Sequence, residues 1–304
     1  MNPSISVIIP SFNSACWVAD AVETALAQTF AASQIIVVDD GSTDQTRQVL
    51  EPYLAKGVEY VYQPNSGVAV ARNSGVSRAT GELVAFLDAD DVWHPRKLEI
   101  QAATLLARPE CLMLGTATFD WPGIVPAVDV DDTLPRAVCW RDLVIKNYFT
   151  TSSVLVRRSA LSAAGEGPFD PELRGPEDYD LWLRVSELGP VINLPIQLTG
   201  YRTVAGSLGR QARTMEAGVG RILQKLSERG AWSARGDAML CRKAHAFHRY
   251  WSAYMYRESG ERGIALRRLI QSLAEYPLPF ARTEVRMPWA RVKLLATLMM
   301  GKAV

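Results

Sequence analysis

Leu83-Val84-Ala85-Phe86-Leu87-Asp88-Ala89-Asp90-Asp91 runs from five apolar side chains straight into three carboxylates. A short unbroken apolar run suits a strand buried on both faces of a parallel sheet. Carboxylates crowded at its end repel one another and resist burial, so they belong near water or a cation. A similar passage occurs twice upstream. Ser6-Val7-Ile8-Ile9 ends in Pro10-Ser11-Phe12-Asn13, and Ile35-Ile36-Val37-Val38 ends in Asp39-Asp40-Gly41-Ser42. Between these runs, Val18, Val22, Leu26 and Phe30 recur at helical spacing, and a helix is predicted to start near Ser42 or Thr43, either of which can cap it. Glu59–Tyr62 reads as a weaker strand, Gly67–Ala79 as a loop entering a helix, and Pro95 as the opening of another helix. Strand alternating with helix predicts an α/β fold with a mostly parallel sheet flanked by helices. Ligands of such sheets bind at the carboxyl ends of the strands, so the three polar segments are expected on one cleft edge.

Outward from this core the pattern changes. Ser153–Val156 and Val191–Leu194 read as strands, Asp178–Leu188 as a helix, and the chain after Gly209 as mostly helical. The expected division is 1–209 and 210–304. Charge follows it: there are 15 Lys or Arg and 25 Asp or Glu through Gly209, then 18 and 7 beyond, although the 304 residues total only +1. The overall balance argues against a nucleic-acid binder, while the split implies two parts with different partners. An apolar content of 48% with 21% charged residues is ordinary globular usage. The four cysteines are scattered without a CxxC pair, which favours free thiols in a reducing cytosol. The N-terminus lacks a signal-peptide pattern, and no stretch is long and apolar enough to span a bilayer.

The strand ends carry donors for more than one chemistry. Hard divalent cations take oxygen ligands, often one or two carboxylates plus substrate phosphates, and Asp88-Ala89-Asp90-Asp91 offers such donors. Taken alone it would be an acidic turn ahead of a helix. Asp39 or Asp40 could accept a hydrogen bond from a base N–H, whereas Ser42, Thr43 and Asp44 suit an Asx turn and helix cap. No G-x-G-x-x-G follows the first strand and no P-loop motif occurs, which disfavours a dinucleotide-dependent dehydrogenase and a P-loop enzyme.

Ser6–Asn13, Val37–Asp44, Asn65-Ser66-Gly67 with Ala71-Arg72-Asn73, Gly81-Glu82, Phe86–Asp91 and Pro176-Glu177-Asp178-Tyr179-Asp180-Leu181-Trp182, in this order and spacing, resemble glycosyltransferase family 2 over roughly residues 4 to 202. The resemblance implies a GT-A fold with a helical C-terminal extension, a UDP- or dTDP-sugar donor, Mn2+ or Mg2+, and inversion at the anomeric carbon. Carried over, Pro10, Ser11 and Asn13 would line the nucleotide pocket, with Asp40 and its neighbour Asp39 facing the base and Arg72 beside it. Asp88 would approach the ribose, and Asp90 would hold the metal, with Asp88 or Asp91 as further contacts. Asp178 would be the base that deprotonates the acceptor hydroxyl, with Glu177 contacting acceptor or donor and Trp182 either in the core or an acceptor platform. Arg72 as a surface salt bridge, and the Glu177-Asp178 pair as a simple helix-dipole effect, are the plainer alternatives.

Two departures shape the expectation. The family's His after a Tyr-Arg pair is missing, because Tyr201-Arg202 runs into Thr203-Val204-Ala205-Gly206-Ser207; Arg202, Ser207 or Arg210 is a candidate to serve the diphosphate instead. Gln-x-x-Arg-Trp is absent, which favours transfer of single sugars over processive polymerisation. The acceptor would be a saccharide or lipid-linked glycan of a bacterial surface. Arg267-Arg268, Arg282, Arg286, Arg291 and Lys293 beside Trp289, Leu294, Leu295 and Leu298 leave two readings of the C-terminal region open. One is a helical bundle; the other is peripheral contact with the inner face of a membrane. A catalytically degenerate nucleotide-sugar binder or a membrane-associated assembly protein are the alternatives to an enzyme.

Overall fold

The structure is a computed structural model and describes residues 2–128, 134–204, 209, 211–233, 237–285, 287 and 289–300. In chain order its elements are β1 (Ile5–Ser11), α1 (Val18–Leu26), β2 (Gln34–Asp39), α2 (Thr46–Leu54), β3 (Val58–Tyr62), α3 (Val68–Arg78), β4 (Leu83–Phe86), β5 (Val92–Trp93), α4 (Lys97–Leu106), β6 (Met113–Trp121) and β7 (Arg136–Ala137). There follow α5 (Trp140–Leu143), β8 (Leu155–Arg157), α6 (Arg158–Ala163), α7 (Glu177–Leu188), β9 (Val191–Arg202), α8 (Ala212–Glu228), α9 (Ala238–Glu258), α10 (Arg262–Glu275) and α11 (Ala290–Met300). The chain forms two compact units. One comprises Met1–Trp140, Tyr148–Glu172 and Glu177–Ala205; the other comprises Arg141–Asn147, Leu173–Pro176 and Gly206–Val304.

The first unit carries one mixed sheet in the order β3-β2-β1-β4-β8-β6-β9-β5, with β7 also on β9. The four N-terminal strands β3, β2, β1 and β4 are parallel, as the alternating sequence predicts. β8 is antiparallel to both β4 and β6, while β6 and β9 run parallel. Ile5, Val7 and Ile9 of β1 join Val18, Ala21 and Val22 of α1 in the main core. Ile8 points to the opposite face, where α3 packs so closely that a Cβ on Gly75 would sit 2.4 Å from Ile8 Cγ2. Apolar residues on both faces are what a covered parallel strand requires.

The structure moves several expected boundaries. α1 ends at Leu26, although Phe30 still packs on the same core. α2 begins at Thr46 rather than near Ser42, because the intervening polar residues have other work. Ser42 Oγ accepts from Asn13 N at 2.9 Å, and Asp44 Oδ1 accepts from Thr46 N at 3.0 Å. The strand expected at 153–156 divides into a 3-10 turn, Thr151–Ser153, and β8. β6 was not anticipated, and β9 continues to Arg202, well past Leu194.

In the second unit α8 to α11 share a core of Ala212, Ala253, Met255, Tyr256, Ala265, Leu269, Leu294 and Leu298. No helix among the described residues is long and apolar enough to cross a membrane. Cys16, Cys111 and Cys241 are free thiols.

Lys97 is fully buried at the start of α4. Its Nζ donates to Gln101 Oε1 at 2.7 Å and lies 4.2 Å from the centroid of the Trp93 ring. Burial pushes its pKa well below the ordinary lysine value. The folded chain therefore keeps this amine neutral over a range where the unfolded chain protonates it. Unfolding takes up a proton there, so stability rises with pH until about 10.4. Between about pH 8 and 10, Lys97→Met should flatten the rise of unfolding free energy by as much as about 1.4 kcal/mol per pH unit. Urea titrations across that range check it, and coincident slopes would refute the burial argument.

Candidate active site

Strand order reverses about β1, whose neighbours are β2 on one side and β4 on the other. The crevice beyond the carboxyl ends at such a point is where open α/β sheets bind ligands. β1 ends at Ser11, in register with Asp39 at the end of β2.

Asp39 and Asp40 are both buried and supplied with donors by their own chain. Asp39 accepts from Ser42 N at 2.8 Å and from Tyr60 Oη at 2.5 Å. Asp40 accepts from Gln63 Nε2 at 2.7 Å, Ser66 N at 2.9 Å and Gly67 N at 2.7 Å. These carboxylates stitch the loop before α3 to the end of β2. Gly41 sits at φ +79°, and a Cβ there would meet Asn65 N at 2.6 Å, so only glycine lets the two turns approach. Asn13, at φ +48°, ties the end of β1 to the same turn, its Oδ1 accepting from Thr43 N at 2.8 Å. Pro10 and Ser11 are buried, and Ser11 Oγ has no hydrogen-bond partner among the described residues.

Across β1, the acidic end of β4 is held by Arg72 of α3. Nη2 of Arg72 reaches Asp88 Oδ1 at 2.7 Å, and Nη1 reaches Glu177 Oε1 at 2.5 Å. The Arg72 side chain is 5% exposed and that of Glu177 4%, which replaces the surface salt bridge of the sequence reading with a buried one. The guanidinium also lies over the Phe169 ring, 5.5 Å from its centroid. Burial alone would lower the Arg72 pKa, but Asp88 and Glu177 more than offset it, so the group stays charged.

The three aspartates take different environments. Asp91 is buried, accepting from Ser152 Oγ at 2.6 Å and Arg202 N at 3.0 Å, so its oxygens are committed to the fold rather than free for a metal. Burial, and then the charge of Asp88, pushes its pKa up to about 8. Asp90 is partly exposed, and its carboxylate takes a hydrogen bond from its own backbone N–H. Burial and Asp88 raise its pKa to about 6. Ser152 Oγ also accepts from Asp88 N at 3.0 Å. Arg202 donates from Nε to Asp90 O at 2.8 Å and pairs with Asp20 at 2.7 Å, so its guanidinium fastens the acidic loop. Ser207 and Arg210, the other expected diphosphate candidates, lie outside the described residues.

On α7, Glu177 faces Arg72, which corrects its expected place on the acceptor side; its Oε2 is buried without a partner. Asp178 accepts from Thr151 Oγ1 at 2.8 Å and from its neighbour's Tyr179 N at 2.6 Å. Burial, and then the adjacent Glu177 charge, pushes its pKa well above the ordinary carboxylate range. Trp182 cannot be an acceptor platform, because it is fully buried with Phe86 and Phe169, its ring centroid 6.2 Å from each. Thr151 and Ser152 escaped the sequence reading. Their signal was a run of four hydroxyl residues, Thr150 to Ser153, directly ahead of an apolar run.

Residues 6–122 match the family model for glycosyl transferase family 2. TuaG of Bacillus subtilis (strain 168), named for teichuronic acid biosynthesis, is 44% identical over 210 residues, covering 68% of this chain and 81% of that protein. WfgD of Escherichia coli, named UDP-Glc:alpha-D-GlcNAc-diphosphoundecaprenol beta-1,3-glucosyltransferase, is 30% identical over 182 residues, 60% of this chain and 69% of its own. Among solved structures, S. aureus TarS 1-349 aligns with a TM-score of 0.65 at 19% identity, over 98% of this chain and 92% of that one. A mannosyltransferase of Pyrobaculum calidifontis, solved with GDP-Man and Mn2+, aligns at 0.61 and 16% identity over 100% and 89%. The structural likenesses show a shared GT-A architecture, and the extent of the sequence matches goes further: this chain belongs to glycosyltransferase family 2 and is a glycosyltransferase.

Proposed function

We propose that this chain transfers a single sugar from a UDP-sugar, with inversion, to a hydroxyl of a lipid-linked or saccharide acceptor in bacterial surface-glycan synthesis. Residues 1–209 would be the catalytic part. The observation that carries the reading is Arg72, whose two arms bind the acidic end of β4 to the first residue of α7, and whose charge is felt by Asp88, Glu177 and Asp178 alike. The names of TuaG and WfgD, and TarS structures solved with UDP and with UDP-GlcNAc, support the donor and acceptor classes.

Asp178 is the base in this reading. Its raised pKa keeps it basic enough to take a hydroxyl proton near neutrality, while Thr151 holds one oxygen in place. As the proton leaves, the acceptor oxygen attacks the anomeric carbon opposite the departing nucleoside diphosphate. Ser11, with its unpartnered buried hydroxyl, and Asn13 would sit on the nucleotide side. Pro10 would shape that side, and Asp39 and Asp40 would act on the base through the turn they hold.

A divalent cation fits the acidic end. Among the described residues no set of three His, Cys, Asp or Glu is arranged to hold a metal alone. Yet Asp90 is partly exposed and its pKa is raised by burial and by the charge of Asp88, which is the condition a cation relieves. Asp90, with Asp88 in support, would hold Mn2+ or Mg2+, the diphosphate completing the set. When bound, the ion would neutralise charge growing on the leaving diphosphate.

The purified chain given UDP-sugars, Mn2+ and a polyprenyl-diphosphate sugar should release UDP and lengthen the acceptor, and lose this with chelator. Asp178→Asn should lower transfer by at least about a hundredfold while UDP still raises the melting temperature as in the parent; full activity in that variant would sink the assignment. Thr151→Val removes a hydrogen bond that lowers the base's pKa. The acid limb of kcat/KM should therefore move to higher pH, and an unmoved limb would deny Thr151 its positioning role. Arg72→Met leaves Glu177 buried and unpaired, which should cost about 3–5 kcal/mol in urea unfolding.

A further inference from the structure

Helix α11 reverses the usual partition of polar and apolar side chains. Arg291 is buried, while Trp289 just ahead of the helix is 67% exposed, Val292 53%, Met299 74% and Met300 62%. At 3.6 residues per turn, Trp289, Val292, Ala296, Met299 and Met300 form one stripe, with Lys293 at its edge. Leu294 and Leu298 lie on the opposite side, in the core of the second unit.

The rotation of the helix is fixed by Arg291. Its Nη1 donates to Ser272 O at 3.0 Å and Tyr276 O at 2.6 Å, and its Nη2 donates to Leu278 O. Its guanidinium stacks 4.1 Å from the centroid of Phe280. Turning the apolar stripe inward would tear out a buried, hydrogen-bonded cation, so the stripe is held outward by construction.

Charge selects what meets the stripe. After Tyr276 the sequence holds five Lys or Arg and one acid, Glu284. Glu284 is itself taken up, pairing with Lys243 at 2.6 Å and accepting from Ala281 N at 2.9 Å. Arg282 and Lys293 are exposed and have no acidic partner among the described residues. A second copy would oppose like charge to like charge, whereas an anionic lipid surface complements it. The helix has 11 residues, about 16 Å at 1.5 Å per residue, half of what a bilayer core requires. It can lie on such a surface but not span it.

We propose that the outward face of α11, with Trp289, Val292, Met299 and Met300 inserted among headgroups and Arg282 and Lys293 on the phosphates, is a docking surface for anionic membranes. The proposal does not rest on the transfer reading, since it is read by vesicle binding rather than turnover.

The test is flotation of the 304-residue chain with vesicles of phosphatidylcholine alone or mixed equally with phosphatidylglycerol. The chain should float with the mixed vesicles at low salt, less so at high salt, and not with phosphatidylcholine alone. Trp289→Glu with Met299→Glu, both on exposed side chains, should weaken partition by at least about tenfold with an unchanged melting curve. Arg282→Glu with Lys293→Glu should weaken it while keeping the apolar stripe. No flotation on mixed vesicles at low salt, or equal flotation of the first double variant, overturns the proposal. So does a dimer in sedimentation that the first double variant abolishes without any vesicle binding, because the face would then belong to a second copy.

Discussion

A guanidinium removed from water must find acceptors for its donors, and Arg72 finds two, Asp88 at 16 residues along the chain and Glu177 at 105. Asp88 closes β4 and Glu177 opens α7. Either carboxylate alone would balance the charge of the buried cation, but the planar fork carries donors on two outer nitrogens, and each finds its own carboxylate. The fold of the first unit around its acidic end therefore depends on this three-way contact. Phe169 covers the guanidinium face and in turn packs on Phe86 and Trp182, so the aromatic core sets the depth at which the charge sits. The placement of Asp178 follows: wherever Glu177 is pinned, Asp178 is next to it.

A second layer fixes what Arg72 does not reach. The 3-10 turn Thr151–Ser153 gives a hydroxyl to Asp178, another to Asp91, and an acceptor to Asp88 N. Arg202, at the far end of β9, closes the same loop from outside. Four separated segments thus direct polar groups to one acidic strand end. Asp91 and Asp88 are tied to them, while Asp90 stays partly exposed, its pKa raised by burial and by the charge of Asp88.

The sequence was most legible where local pattern and global fold agree. Buried parallel strands announce themselves as apolar runs, and Ser6–Pro10, Ile35–Val38 and Leu83–Leu87 fall on β1, β2 and β4 because nothing non-local competes there. The polar strand ends were legible as a set, and partners were not. Asp39 and Asp40 read as ligands for a base, but their donors, Tyr60, Gln63, Ser66 and Gly67, come from the next strand and loop. Trp182 read as a platform because an aromatic beside acids looks exposed in one dimension; on α7 it faces Phe86. Ser42 and Thr43 have the chemistry of a helix cap, yet the end of β1 claimed them first. Thr151 and Ser152 were missed because a hydroxyl run says nothing of which carboxylate it will meet.

The same limit explains the basic end. Composition gave Arg291 and Lys293 equal weight as surface charge, two residues apart on one helix. Their side chains point in nearly opposite senses on a 3.6-residue turn, and the fold takes Arg291 inward to three carbonyls and Phe280. What distinguishes them is the set of carbonyls at and after the end of α10, those of Ser272, Tyr276 and Leu278, which is a property of tertiary structure and not of spacing. With Arg291 inside, the exposed side of the helix is largely apolar, with Lys293 at its edge. The acidic and basic halves of the sequence then take different forms: buried, paired carboxylates at the strand ends of one unit, and an outward apolar stripe with a cation at its edge in the other.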